Sequence, residues 1–530
     1  MTWRGLVLAG LTCLPVLLLS PFPTQDGPSH IYAGHRWRLL GDRHYATINQ
    51  AFEHSPSALS TQTVHGAVAL LLGILSPLWV EQLIVLACVG GLFAVFIVGA
   101  DDDRALFFPV CALPLFVMGF ALRMGFYSFC LSLPLALGAV GLWTNGGVDS
   151  SRRRLILAAS LMVALPLFHV VTAGWALALM GACSIGSLVT RRATSVRELE
   201  ILALLSFPFL AVAVRYPNAS GAYVWERIGE RVAGLVAGGA FVGAGRYALW
   251  WSTVPSVGLL ALGVLFLRDE VRRAWHASRA ALRRVIVVVV AFLLALLVPE
   301  EGAGGAYIGV RANLLFFLLL LFVLRAWRLP RAVDAVLSLV FLALSVVHLS
   351  STYSTLQPAS TAEREIIASA ARLQEHTTAL VVVAGEWVDT AGLSLATQIR
   401  PLLHAGDLLG IGADRTILTF YEGELPYFPV NFTQAANPFG VLFDSTLFGW
   451  EAPAVRWEGV ATWRGGVDYI AVWDEPHLLQ SPAEGARFRA VVCRLYEEAY
   501  RSDFAPWVIY QLRGGNDTGR SRTSEICRAR

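Results

Sequence analysis

Long apolar runs, each close to the length of one bilayer crossing and separated by short polar joints, fill the first 350 residues. They fall at about 5–20, 81–99, 105–121, 125–143, 155–169, 172–189, 199–215, 248–267, 285–298, 312–325 and 333–349, with a further run at 63–79. A spanning helix needs roughly 20 mostly apolar residues, fewer where the bilayer is thin, so each run is a candidate crossing. Beyond residue 350 the pattern changes. "STAEREIIASAARLQEH" has helical spacing, and "TALVVVAGEW" reads as a buried strand. "VDYIAVW" and "PWVIYQLR" predict further strands, with "ARFRAVVCRLYEEAYR" a helix between them. The expected architecture is a polytopic α-helical membrane domain over 1–350, with a first outer loop at 21–80, followed by a small extracytoplasmic α/β domain over 351–513. The polar stretch 514–530 predicts a disordered tail.

Arg placement orients the crossings, because cytoplasmic loops carry the excess of basic residues. Dense Arg clusters at 151–154, 191–197, 268–284 and 325–331 belong inside. The joints near 121–125, 169–171, 216–247 and 299–311 alternate with them and belong outside, which leaves everything after 350 outside. Arg4 keeps the N-terminus inside, so an odd number of crossings must link an outer 21–62 to an inner residue 100. Runs 63–79 and 81–99 therefore cannot both span. The second is assigned as the crossing and the first as a helix in the outer interface, where Pro77 and Trp79 suit it. Eleven spans result, N-terminus cytoplasmic and C-terminus extracytoplasmic, as for a bacterial inner-membrane protein. The first run lacks small residues at a cleavage position, so it is expected to stay as a helix rather than be removed as a signal peptide.

Composition agrees. Hydrophobic residues make up 56% of the 530 and charged residues only 15%, far from the quarter or so typical of soluble domains. The net charge of +3 and the scattered Arg exclude a nucleic-acid partner. All 41 basic residues are Arg, read here as a codon bias. Five of seven cysteines lie in apolar runs; Cys493 and Cys527 lie in the polar part, free or disulfide-bonded. The glycine-rich stretches "VAGLVAGGAFVGAG" and "EEGAGGAYIGV" follow no strand and so lack the context of a phosphate loop.

The candidate chemistry lies on the outer side. Asp26, in "PFPTQDGPSHIYAGHRW", follows the outer end of the first helix. A partly desolvated carboxylate there has raised basicity and suits a general base acting on an acceptor hydroxyl. The plain alternative is that Asp26 caps the helix "GPSHIYAGHRWRLL". Arg123, Arg246 and Arg311 also stand on outer edges, against the inside preference, and an anionic phosphate would compensate them. Snorkelling to the interface is the competing explanation. His30, His169 and Tyr307 are the further substrate-binding candidates on this side.

One membrane helix, an outer loop opening on "QDGPSHIYAGHRW", and the run "TVHGAVALLLGILSPLWVEQLIVLACVGGLFAVF" together resemble the GT-C superfamily of integral-membrane glycosyltransferases. The likeness is to the bacterial branch that includes protein mannosyltransferases and the lipid A aminoarabinose transferase. It implies a sugar donor linked to polyprenyl phosphate, an acceptor that is lipid, glycan or protein, and transfer with inversion. It also implies that Asp26 is the base and that Arg311, in "YIGVRANLLFF", holds the donor phosphate. Many relatives carry a second carboxylate where this chain has Gly27. No obligatory cofactor is therefore expected, and a divalent metal finds no support in the sequence. A flippase for a lipid-linked envelope precursor would also use many spans and outer charges, but should carry ionisable residues at mid-span. A non-catalytic envelope-assembly scaffold of the same fold is the third reading.

Overall fold

The computed structural model describes residues 2–55, 62–98, 106–146, 152–189, 194–215, 223–241, 248–275, 278–302, 305–384, 399–443, 454–513 and 525–528. In chain order, α1 (Thr2–Leu18), α2 (Gly27–Leu39) and α3 (Ala46–Ala51) lead into the short strand β1 (Phe52–His54). Next come α4 (Gln62–Leu71), α5 (Pro77–Val98), α6 (Phe108–Val117), α7 (Phe120–Arg123), α8 (Tyr127–Gly146), α9 (Arg152–Phe168) and α10 (Val170–Val189). The helices α11 (Thr194–Arg215), α12 (Ile228–Ala237), α13 (Ala248–Trp275), α14 (Arg279–Leu297), α15 (Ile308–Leu324) and α16 (Arg331–Ser369) follow. The remainder holds β2 (Thr377–Val383), β3 (Arg415–Ile417), β4 (Val430–Phe432), α17 (Trp457–Val460), β5 (Tyr469–Trp473), α18 (Glu475–Gln480), α19 (Pro482–Leu495), β6 (Tyr496–Arg501), β7 (Trp507–Leu512) and α20 (Glu525–Arg528).

Every apolar run expected to span lies in helix, with 105–121 divided between α6 and α7. By length and composition, five helical stretches among the described residues can cross a bilayer: Pro77–Val98, Tyr127–Asn145, Val170–Leu188, Arg279–Leu297 and Arg331–Arg372. Trp3–Leu18, Phe108–Arg123 and Ile308–Leu324 are shorter apolar helices. Large apolar side chains stand exposed along α1 (Trp3, Leu6), α11 (Leu204, Phe207, Val214) and α16 (Val336, Leu339). Such surface is stable against lipid rather than water. The chain is an integral membrane protein.

It divides into two compact units, and the division runs differently from the expected boundary near 350. The first unit comprises Met1–Leu18, Leu59–Val64 and Leu83–Thr355; the second comprises Leu19–Ala58, His65–Gln82 and Leu356–Arg530. The first outer loop thus belongs with the C-terminal part, because β1 pairs antiparallel with β4 and places Phe52 opposite Phe432.

Within the first unit, buried ions gather where the helices carry their Arg clusters. Glu198 at the start of α11 accepts from Arg279 (2.6 Å) and Arg283 (2.5 Å) at the start of α14. Arg283 also donates to the Trp143 carbonyl near the end of α8. Glu270, near the end of α13, accepts from Arg284 and Arg273. A second buried cluster lies past the other end of α14, where Arg231 pairs with Glu226 (3.1 Å) and Glu300 (2.9 Å) and donates to the Val298 carbonyl.

Within the second unit, the sheet order is β3-β2-β5-β7-β6. The β3–β2 and β2–β5 pairs are parallel; β5–β7 and β7–β6 are antiparallel. Strands β2 and β5 carry unbroken apolar runs because both faces are covered. Tyr32 and Ala33 of α2 belong to the same core as Leu380, Tyr469, Trp507 and Tyr510.

Four expectations need correction. Pro77 and Trp79 belong to α5, where proline suits a first helical position, while the preceding short helix is α4. Leu70 within α4 and Ile74 just after it are exposed, whereas Val64, His65 and Val68 are buried. The helix expected from residue 360 is not separate: α16 runs unbroken from Arg331 through Pro358 to Ser369. The segment "YEEAYR" is strand β6 rather than the end of a helix, because pairing with β7 overrides local propensity. The tail expected to be disordered contains α20, and Cys527 there forms a disulfide with Cys493; residues 514–524 lie outside the described residues.

Candidate functional site

Asp26 occupies the N-cap position of α2, with Pro28 in the first turn, yet its side chain makes no capping hydrogen bond. Its backbone (φ −98°, ψ −7°) is helical rather than extended, so the usual N-cap geometry is not formed. The buried carboxylate instead lies 3.6 Å from His404 Nε2. Burial lowers the basicity of His404 to about 3, with the charge of Glu422 opposing it and that of His30 adding to it. A neutral imidazole therefore faces the Asp26 carboxylate.

The rest of α2 is fastened by polar bonds within the second unit. Ser29 Oγ donates to Asp407 Oδ2 at 2.5 Å. Burial raises the Asp407 carboxyl to about 8, the Ser29 bond opposing and the nearby Glu422 and Asp26 charges adding. Tyr32 OH donates to the Arg415 carbonyl (3.1 Å) and accepts from Ile417 N (2.9 Å). Arg36 donates to the Gly410 carbonyl and stacks its guanidinium 4.2 Å over the Tyr32 ring. Ahead of the helix, Gln25 accepts the Arg400 N–H and Thr24 donates to Glu81.

His30 is engaged one turn after Asp26. Its Nδ1 lies 2.6 Å from Glu422 Oε1 and 3.1 Å from His65 Nε2, and His65 Nε2 lies 3.4 Å from Glu422 Oε2. Burial alone would raise the Glu422 carboxyl; the charge of His30 and the hydrogen bonds from both imidazoles outweigh it and hold it well below the usual carboxylate range.

In the first unit, three other candidates come together. Arg311, in the first turn of α15, places Nη1 3.5 Å from His169 Nε2 and its guanidinium 3.8 Å over the Phe126 ring. His169, between α9 and α10, is anchored through Nδ1 to Thr172 Oγ1 at 2.8 Å. Tyr307 is the N-cap of α15 in a left-handed conformation, and its ring meets Phe120 and Phe126 at 4.9 and 6.1 Å. Arg123 closes α7, three residues before Phe126. It is buried, and none of its three guanidinium nitrogens has a hydrogen-bond partner among the described residues. A desolvated, unpartnered guanidinium is costly, and an anion is the group that would satisfy it. Arg246 lies outside the described residues.

The sequence reading named Asp26, Arg311 and His169 as separate candidates, and did not name His65, His404, Asp407 or Glu422, which the structure brings beside Asp26 and its helix. A histidine in an apolar amphipathic helix (His65) and an acid among aromatics in "FYEGELPYF" were the available signals.

No family model and no curated protein matches the sequence. Among solved structures, the chain is similar to ArnT from Cupriavidus metallidurans in the apo state. The TM-score is 0.50 at 13% identity, over 95% of this chain and 97% of that one. What the two chains share is the overall fold.

Proposed function

We propose, from the GT-C fold of this chain, that it is a membrane glycosyltransferase moving a sugar from a polyprenyl-phosphate donor to an acceptor hydroxyl or amine, with inversion. The observation that carries this reading is Asp26: a buried carboxylate at the start of the first loop, not used for helix capping, beside a neutral imidazole. In the proposed step the Asp26 carboxylate takes the acceptor proton as the acceptor attacks the anomeric carbon. The bond from that carbon to the phosphate oxygen breaks, and polyprenyl phosphate leaves with the electron pair. His404 Nε2 lies 3.6 Å from Asp26, beyond hydrogen-bond length. Arg311 and Arg123 meet the donor phosphate and stabilise the charge developing on it. His169, which touches Arg311, and Tyr307 are its companions, and Arg246 has the same assignment from the sequence alone. The outer placement of residues beyond 350 is supported by the Cys493–Cys527 disulfide, since such bonds persist in oxidising compartments.

Three variants test the reading in one transfer assay with purified protein. Asp26→Asn should lower transfer by roughly 10²–10⁴-fold, the range usual for losing a general base, with donor binding and yield retained. Arg311→Ala should weaken donor binding by at least about 100-fold, as loss of one partner of a desolvated ion pair does. Arg311→Lys should recover only part of it, because an ammonium lacks the planar fork. Full activity in Asp26→Asn would sink the catalytic assignment, and normal donor affinity in Arg311→Ala would reduce that residue to an interfacial anchor.

A further inference from the structure

Three side chains from three separate segments turn their donor atoms toward one point in the second unit. His30 comes from α2, His65 from α4, and Glu422 from the turn before β4. His65 and Glu422 are fully buried and His30 nearly so. His30 Nδ1 faces both Glu422 Oε1 (2.6 Å) and His65 Nε2 (3.1 Å). A single ring nitrogen has either one proton or one lone pair, so it cannot make two well-aligned hydrogen bonds to both. A shared cation at the centre satisfies all three groups at once. Donor atoms about 2.0–2.1 Å from a tetrahedral zinc ion stand about 3.3 Å apart. The observed separations of 2.6, 3.1 and 3.4 Å bracket that value.

We propose that His30, His65 and Glu422 form a three-ligand site for Zn²⁺, which clamps α2 and α4 to the turn at 421–424. Imidazole and carboxylate are ligands that suit zinc, and two His with one carboxylate leave its fourth position for water. The surroundings fit a closed, low-dielectric site. Phe428 packs against both imidazoles, with ring centroids 6.1 Å from His30 and 5.6 Å from His65. The role is structural: the ligands tie together segments that only tertiary folding brings near, and none of the three is the proposed base. The inference rests on this triangle alone and does not depend on the transferase reading.

The test uses the full chain in detergent, stripped with a chelator and then dialysed against Zn²⁺ alone at micromolar free concentration. Wild type should hold one zinc per chain. Its thermal midpoint should fall on stripping and return on reloading. Co²⁺ loaded in place of zinc should give the visible absorption of a tetrahedral ion. His65→Gln and Glu422→Gln should each weaken zinc binding by at least about 100-fold, the upper end of what losing a mere outer-shell partner costs. Their thermal midpoints should no longer respond to chelator. His44→Gln is the control, removing another histidine that faces an acid, at 2.9 Å from Asp42, and should keep the full metal content. A folded wild type that takes up no stoichiometric zinc overturns the proposal, as does unchanged affinity in both Gln variants. Should either variant fail to fold, zinc content and the Co²⁺ spectrum of wild type decide the matter.

Discussion

Asp414 accepts the N–H groups of Thr47 (3.0 Å) and Ile48 (2.9 Å) in the first turn of α3, and its Oδ2 also meets His376 Nδ1 at 2.6 Å. Burial works to raise its pKa; the two backbone bonds and the His376 bond outweigh that and lower it. A carboxyl whose pKa is depressed by folding stabilises the fold above its unfolded pKa, and that contribution is lost as pH falls through the folded value. Asp414→Asn should therefore cost about 1 kcal/mol near neutral pH, the usual scale for a cap. The gap from wild type should close as pH drops below about 4, where the unfolded carboxyl also protonates. Thermal midpoints of the two proteins between pH 3 and 7 check this, and a gap independent of pH contradicts it. Asp414 also marks the limit of single-residue reading. Asp26 stands out in the sequence because it follows the first apolar run, and Arg311 because it breaks a charge rule. Asp414, His404, Asp407 and Glu422 sit in stretches with ordinary local composition. Their importance comes from partners such as Thr47 and Ser29, more than 360 residues away in the chain.

The contact between α2 and α4 depends on a missing side chain. A Cβ placed on Gly34 would lie 2.7 Å from the Val68 Cβ and 3.2 Å from the His65 carbonyl oxygen, closer still to the Val68 methyl. Alanine ordinarily stabilises a helix interior by about 1 kcal/mol relative to glycine. Here the collision should outweigh that gain, so Gly34→Ala should lower the thermal midpoint, with about 1–3 kcal/mol lost to overpacking. Adding Val68→Ala should restore most of it. A single variant more stable than wild type would mean that the helices sit further apart. Elements were legible wherever hydropathy alone decides them, as along α8, α10 and α14. Legibility failed where pairing decides: β6 is strand because β7 lies beside it. It failed also at α16, which runs on through Pro358.

For the whole chain, the Arg clusters that meet around Glu198 and Glu270 predict which helix ends share a side of the membrane. A reporter fused within 268–284 should read cytoplasmic, and one fused after residue 360 should read exported; cytoplasmic signal at the second would remove the expected topology. The division into units was not legible, because it follows the β1–β4 pairing rather than any change in composition. That pairing also imposes an order on biosynthesis. Gln25 bonds to Arg400, 375 residues later in the chain. At roughly 5–20 residues per second, the partner is synthesised about 20 to 75 seconds after the first loop. During that interval α2 exists with its Arg36 and Tyr32 deprived of the carbonyls they will later bind. The loop must remain unaggregated beside the translocon while most of the membrane helices insert. A stalled or truncated chain would therefore present this segment, still unpaired, to the cell's quality-control proteases.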